Sequence, residues 1–216
     1  MKKYRYILFD LDGTLIYSHP GIYSCFQHAL KAMGKPEAAQ DVLRKCIGPS
    51  LMYSFATFFD MTEEDARKAT ALYREQYSVT GVYENAPIEG ALECLKDLKS
   101  KGYVMALATS KPKIYADIIA ERWGFSVYLQ EQVGPGMDGS LDSKAEVIAE
   151  AIRLLGANKE ECLMIGDRHH DIEGAKENGI DSVLLKVGYA AEGEEMECQP
   201  TYVVEDFAAL ETFLTK

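Results

Sequence analysis

Tyr6-Ile7-Leu8-Phe9-Asp10-Leu11-Asp12-Gly13-Thr14-Leu15 is the stretch that decides how this chain is read. Four apolar or aromatic residues closed by an aspartate predict a short buried β-strand with two carboxylates and a glycine at its end. The pattern then changes. From about residue 19 to residue 80, Ile22, Phe26, Ala29, Leu30 and Met33 recur at helical spacing, as do Met52, Phe55, Phe58 and Phe59. Breaks at Gly34-Lys35-Pro36 and Gly48-Pro49 divide this segment into several helices. Beyond Pro87 the two periodicities alternate. Helices are expected over residues 91–98, 112–123, 144–155, 171–178 and 207–214, and strands over 103–108, 126–129, 162–165, 182–186 and near Tyr202. The run at residues 192–197 reads as an acidic, solvated loop.

Strands separated by helices pair in parallel through right-handed crossovers. The expected fold is therefore α/β, with a doubly wound, Rossmann-like parallel-sheet core built from residues 1–14 and 85–216. An all-helical cap is expected as an insert at residues 15–84.

The formal net charge of −11 disfavours nucleic acid and anionic membranes as partners. It also means that an anionic substrate needs local cations, and a divalent metal is the obvious source. Cys25, Cys46, Cys94, Cys162 and Cys198 are odd in number and form no C-x-x-C pair, which argues for reduced thiols in a cytoplasm. The apolar run after Met1-Lys2-Lys3 is too short for a signal-peptide core or a membrane span. The partner expected is a small phosphorylated metabolite, with the chain itself a monomer or a homodimer.

Ligands of open α/β sheets sit beyond the carboxyl ends of the strands. The residues expected there are Asp10 and Asp12, then Thr109, Ser110 and Lys111, then Asp167 with Asp171 four residues on. Lys144 joins them from the start of a helix that Ser143 and Glu146 can cap, because helical side chains lean toward the N-terminus. Carboxylates, hydroxyls and lysine together suit phosphate bound beside a hard cation. Mg²⁺ takes oxygen ligands, for which Asp10 and Asp167 are suitable. With the charge of the ester offset, Asp10 can act as a nucleophile and Asp12 as a general acid and then base. The hydroxyls of Thr109 or Ser110 and the Lys144 ammonium would hold the oxygens of the transferring group.

These segments, DLDGTL at residues 10–15, ALATSK at 106–111, Lys144 and GDRHHD at 166–171, resemble in order the four motifs of the haloacid dehalogenase superfamily. The resemblance runs essentially the whole length, and the helical insert looks like that superfamily's cap of the phosphoglycolate-phosphatase type. It implies a nucleophile at Asp10, an acid/base at Asp12, phosphate binding at Thr109 and Lys144, and Mg²⁺ at Asp10, the Asp12 carbonyl and Asp167. Asp171 would support the metal shell. The dehalogenase branch lacks the second aspartate, so Asp12 points to phosphate chemistry. Residues 137–148 and 166–180 are similar to bacterial members described as phosphoglycolate phosphatases or 5′-nucleotidases. Arg168-His169-His170 departs from the small residue common after the Gly-Asp pair.

Plainer readings stand beside these. A D-x-D-G-T string arises by chance in roughly one chain in a thousand of this length, so the case rests on four motifs in order. Gly134-Pro135-Gly136-Met137-Asp138-Gly139 has the G-x-G-x-x-G spacing but contains Pro and precedes the next helix by several residues, so it is read as a loop. Cys162 and Arg168 have the spacing of cysteine phosphatases, but Cys162 opens an apolar strand. Lys111 either binds phosphate or projects into solvent. Arg168, His169, Arg44 and Lys45 are candidates for substrate specificity, with His169 and His170 otherwise read as solvated loop residues.

The expected activity is Mg²⁺-dependent hydrolysis of a small phosphomonoester, whether phosphoglycolate, a nucleoside monophosphate or a sugar phosphate, through an aspartyl-phosphate. A phosphomutase similar to β-phosphoglucomutase would use the same residues, and a non-catalytic phosphate-binding protein would need none of them intact.

Overall fold

The computed structural model describes residues 3–215. Two compact units are present, one comprising residues up to Tyr17 together with those from Pro87 onward, the other Ser18–Ala86. The first unit is built on a sheet of six strands: β1 (Tyr6–Phe9), β4 (Val104–Ala108), β5 (Leu129–Val133), β6 (Cys162–Gly166), β7 (Asp181–Leu185) and β8 (Tyr202–Val204). Two-residue strands β2 (Ile16–Tyr17) and β3 (Ala86–Pro87) stand in sequence where the chain leaves this unit and returns. The six lie in the order β5-β4-β1-β6-β7-β8, with every neighbouring pair parallel.

That order places β1 in the middle, flanked by β4 and β6. The chain runs outward from β1 through β4 to β5, then returns to the other side of β1 with β6. The strand order therefore reverses between β1 and β6, where open α/β sheets open a crevice.

Strands covered on both faces by helices read as continuous apolar runs. Leu8, Ala106 and Met164 occupy the same level of the three central strands and pack with Val147, Ile148, Ala151 and Ile152. The latter four line the buried face of α7 (Lys144–Leu155), which starts with a Ser143–Glu146 capping box and stops at Gly156 in the left-handed region. The remaining helices of this unit are α5 (Ala91–Ser100), α6 (Lys113–Arg122), α8 (His169–Asn178), α9 (Glu194–Cys198) and α10 (Phe207–Thr215).

The helical unit holds α1 (His19–Ala32), α2 (Gln40–Lys45), α3 (Leu51–Phe58) and α4 (Glu63–Val79). Its core is aromatic: Phe26 stands 4.9 Å from Phe55 and 5.0 Å from Tyr73, centroid to centroid. Ser50 and Thr62 cap α3 and α4 by accepting the N–H groups of Tyr53 and Asp65.

Three expectations are corrected. The strand expected at residues 126–129 is Leu129–Val133 instead; residues 126–128 form a turn closed by the Tyr128 N–H on the Phe125 carbonyl. As an edge strand, β5 carries Gln130, Glu131 and Gln132, which an apolar pattern does not reveal. The helix expected from Asp171 begins two residues earlier, at His169. The acidic run is not a solvated loop, because Glu194–Cys198 is helical and Glu194 is buried. Its buried carboxylate is paired with Arg168 and His169.

Leu8→Ala, in the middle of the central strand, is expected to destabilise the sheet unit by about 2–5 kcal/mol. Val203→Ala, exposed on edge strand β8, should cost less than about 0.5 kcal/mol. Urea denaturation followed by the fluorescence of Trp123 measures both.

Candidate active site

Parallel register brings the strand tips level. Phe9 lies opposite Leu107 of β4 and Ile165 of β6, so Asp10 stands level with Ala108 and Gly166, and Thr109 and Asp167 follow one residue further. The Asp10 N–H donates to the Ile165 carbonyl at 2.9 Å, continuing the ladder to the residue that carries the carboxylate.

Lys144 enters from the first turn of α7, as its N-terminal lean predicts. Its ammonium donates to Asp10 Oδ1 at 2.8 Å and to the Ala108 carbonyl at 3.1 Å. It also stands 2.8 Å from Asp171 Oδ1. The last contact is one of charge, since that oxygen has no hydrogen bond of good geometry among the described residues. Asp171, only 1% exposed, uses its other oxygen to accept the Arg168 N–H at 3.1 Å, which ties the start of α8.

Asp167 is fully buried and held on both oxygens. Oδ2 accepts the Tyr189 N–H at 2.6 Å, and Oδ1 accepts the Thr14 hydroxyl at 3.3 Å. Two glycines make room for it. A Cβ at Gly13, whose φ is +83°, would collide with the Asp167 carboxylate and the Tyr189 ring; one at Gly188 would strike the same carboxylate and the Gly13 carbonyl.

One carboxylate oxygen from each of Asp10, Asp167 and Asp171 falls within 4.8 Å of the others. Three buried carboxylates thus stand together, and the Lys144 ammonium pairs with two of them, Asp10 and Asp171. For Lys144, burial works against the charged form, but Asp10 and Asp171 outweigh it and hold its pKa above the usual lysine range. For Asp171, burial pushes the pKa up to about 6, opposed by Lys144 and reinforced by Asp10. Asp167 is driven well above the usual carboxylate range by burial first and Asp171 second, although the Tyr189 N–H opposes the shift. A cluster that resists holding all its negative charge, and that presents only hard oxygen donors, fits a hard divalent cation.

The Asp12 side chain is outside that cluster. Its Oδ2 pairs with Lys111 Nζ at 3.0 Å, while its Oδ1 is buried with no hydrogen-bond partner among the described residues. Lys111 is 8% exposed, so it does not project into solvent. Its N–H donates to the Thr109 hydroxyl at 3.2 Å, and Thr109 is itself buried, with Ser110 half-buried beside it.

His169 and His170 do not lie in a solvated loop. They form the first turn of α8, half-buried, with ring centroids 3.8 Å apart. Burial, aided by His169, Arg168 and Lys144, lowers the His170 pKa to about 4, which keeps the ring neutral near pH 7. Arg168 Nε donates to Glu194 Oε1 at 3.0 Å, and His169 approaches the same oxygen through its N–H at 2.7 Å and its Nδ1 at 2.8 Å. Arg44 and Lys45 are exposed in the last turn of α2 in the helical unit.

Residues that the sequence reading passed over are Thr14, Tyr189 and Glu194. Thr14 stood within the first motif and carried a signal. Tyr189 acts through its backbone N–H, which no side-chain pattern encodes, and Glu194 was hidden among neighbouring glutamates. Cys162 is buried in β6, donates to the Asn158 carbonyl at 3.2 Å, and has its pKa pushed up by burial to about 11. It is therefore a poor nucleophile. Residues 134–139 form a loop before α7.

The family described as haloacid dehalogenase-like hydrolase matches residues 7–185. A 5′-nucleotidase of Pseudomonas aeruginosa is 38% identical over 98% of this chain and 96% of its own length. Tyrosine-protein kinase PtkA of Mycobacterium tuberculosis is 37% identical over 85% of this chain and 62% of that protein. Among solved structures, a predicted phosphatase from Clostridium acetobutylicum superposes with a TM-score of 0.94 at 32% identity, covering 98% of both chains.

In EDTA at pH 8, Lys144→Met should cost about 3–5 kcal/mol, because it leaves buried carboxylates without their cation. At pH 5 the cost should be smaller. Asp171 has a folded pKa of about 6 against an unfolded value of 3.8, so below about 6 the folded state takes up a proton there and no longer needs the ammonium. Urea denaturation of both proteins at the two pH values tests the sign.

Proposed function

The chain belongs to the haloacid dehalogenase-like hydrolase family, as a phosphatase, and from that membership we propose that it cleaves a small phosphomonoester by way of an aspartyl-phosphate on Asp10. The observation that carries this reading is the Lys144 ammonium held between Asp10 and Asp171, with Asp167 close by, at the crevice between β1 and β6.

A phosphate ester brings further negative charge to a site already crowded with it. Mg²⁺ held by Asp10, the Asp12 carbonyl and Asp167, with Asp171 behind, would offset that charge and let a carboxylate approach the phosphorus. The remaining work falls to the chain's own groups. Asp10 supplies the attacking oxygen, and Lys144 fixes its direction through the 2.8 Å hydrogen bond. Asp12 delivers a proton to the leaving alkoxide. It then takes one from the water that splits the acyl-phosphate, releasing inorganic phosphate and restoring Asp10. Lys111, paired with Asp12, sets the orientation of that carboxylate. Thr109, Ser110 and Lys144 hold the equatorial oxygens during transfer.

Residues 15–84 are assigned the part of a cap that selects the substrate, with Arg44 and Lys45 as its cationic candidates. Among the described residues no helix is long and apolar enough to cross a membrane. The five cysteines of the chain are all free thiols, which supports a reducing, cytoplasmic setting, and the substrates proposed are phosphorylated metabolites such as phosphoglycolate, nucleoside monophosphates or sugar phosphates. A monomer or a homodimer is compatible with that role.

Inorganic phosphate should be released from at least one member of a panel of these esters in Mg²⁺, and the release should stop in EDTA. Asp10→Asn should lower the rate by about 10³-fold or more, while Cys162→Ser leaves it within about twofold. Release that survives either EDTA or Asp10→Asn defeats the reading. Phosphate moved within a sugar without release would identify a mutase.

A further inference from the structure

We propose that Glu194 is a positioning residue for the carboxylate of Asp167, fastening together the two chain segments that converge on it. The inference rests on the reading of Asp167 as a metal ligand.

Glutamate is rarely buried without partners, and Glu194 is 6% exposed. Its neighbours Glu192 and Glu197 are exposed and Glu195 is half-buried, so the run turns one carboxylate inward. That carboxylate is fully engaged. Oε1 meets Arg168 Nε, the His169 N–H and His169 Nδ1, while Oε2 accepts the Ala191 N–H at 2.8 Å.

The partners fall on two stretches of chain. Arg168 and His169 directly follow Asp167. Ala191 lies two residues beyond Tyr189, whose N–H holds Asp167 Oδ2 at 2.6 Å. A closed circuit results, running from Asp167 through Arg168 and His169 to Glu194, across to Ala191, back along the chain to Tyr189, and home to Asp167. Gly188, next to Tyr189, is packed so tightly against Asp167 and the Gly13 carbonyl that a Cβ there would collide with both. The segment therefore lies at close range to Asp167, and any shift of it moves the Tyr189 N–H that orients the carboxylate.

The five-residue helix α9 is too short to be stable by itself. Stability alone does not require a carboxylate here, since a well-packed apolar residue often serves as well as a buried ion pair. What only a carboxylate supplies is two fixed acceptors that can join donors from both segments at once. Groups behind a metal ligand that fix its orientation govern metal affinity in this way.

Mn²⁺ binding to the full-length protein, followed by electron paramagnetic resonance of the free ion, tests the proposal on wild type, Glu194→Gln, Glu194→Asp and Glu195→Gln. Glu194→Gln should bind Mn²⁺ roughly 10-fold more weakly, with its far-ultraviolet circular dichroism unchanged. In steady-state assays the Mg²⁺ concentration for half-maximal rate should rise by the same factor, while KM for the ester at saturating Mg²⁺ stays put. Glu194→Asp keeps the charge but is one methylene too short to reach both segments. It should also weaken binding, and it decides the matter if Glu194→Gln does not fold. Glu195→Gln should bind as wild type does. Wild-type affinity in a folded Glu194 variant overturns the positioning role while leaving the proposed function intact. Failure of the wild-type protein itself to bind Mn²⁺ overturns both.

Discussion

Everything at the carboxyl edge of the sheet depends on one electrostatic balance: three buried carboxylates, from Asp10, Asp167 and Asp171, stand close together, with a single ammonium paired to the first and the last of them. In a low-dielectric setting such a group cannot carry its full charge unaided, and the raised pKa values of Asp167 and Asp171 express that strain. The surplus is also what makes the site useful. A place that needs positive charge will take a cation, and a carboxylate neutralised by that cation can face an anionic ester.

Holding this balance in place occupies much of the local structure. The parallel register levels Asp10 with the start of the post-β6 turn, and the capping box of α7 directs Lys144 between its partners. Gly13 and Gly188 leave the space into which the Asp167 carboxylate fits, and the Tyr189 N–H orients it. Each of these choices favours geometry over maximal stability, as expected where binding and chemistry are concentrated. Beneath them, the apolar layers around Leu8, Ala106 and Met164 supply a rigid base.

The same scaffold supports differently named relatives, a 5′-nucleotidase and a tyrosine-protein kinase among them. Fold membership therefore speaks to the phosphate-handling core, and substrate choice has to be argued from residues outside it. In this chain Arg168 and His169, next to Asp167, are joined to the carboxylate of Glu194.

The α/β class, the existence of the first strand and the meeting of Asp10, Lys144 and Asp167 beyond the strand tips were legible in the sequence, because each rests on a short-range signal. Tyr6–Phe9 is a two-sided buried strand and reads as one; Ser143 and Glu146 announce the helix that carries Lys144; the Gly-Asp pair at 166–167 closes an apolar run. What only the tertiary structure decided depends on contacts distant in sequence. Edge strand β5 is defined by its pairing with β4 and not by its own hydrophobicity, so it begins three residues beyond Ser126, where the sequence signal starts. Lys111 is buried because Asp12, 99 positions away in the chain, draws its ammonium inward. Glu194 looks like any other member of an acidic run until folding places Arg168 and His169 against it, since a carboxylate's burial is set by the donors that surround it and those donors come from elsewhere in the chain.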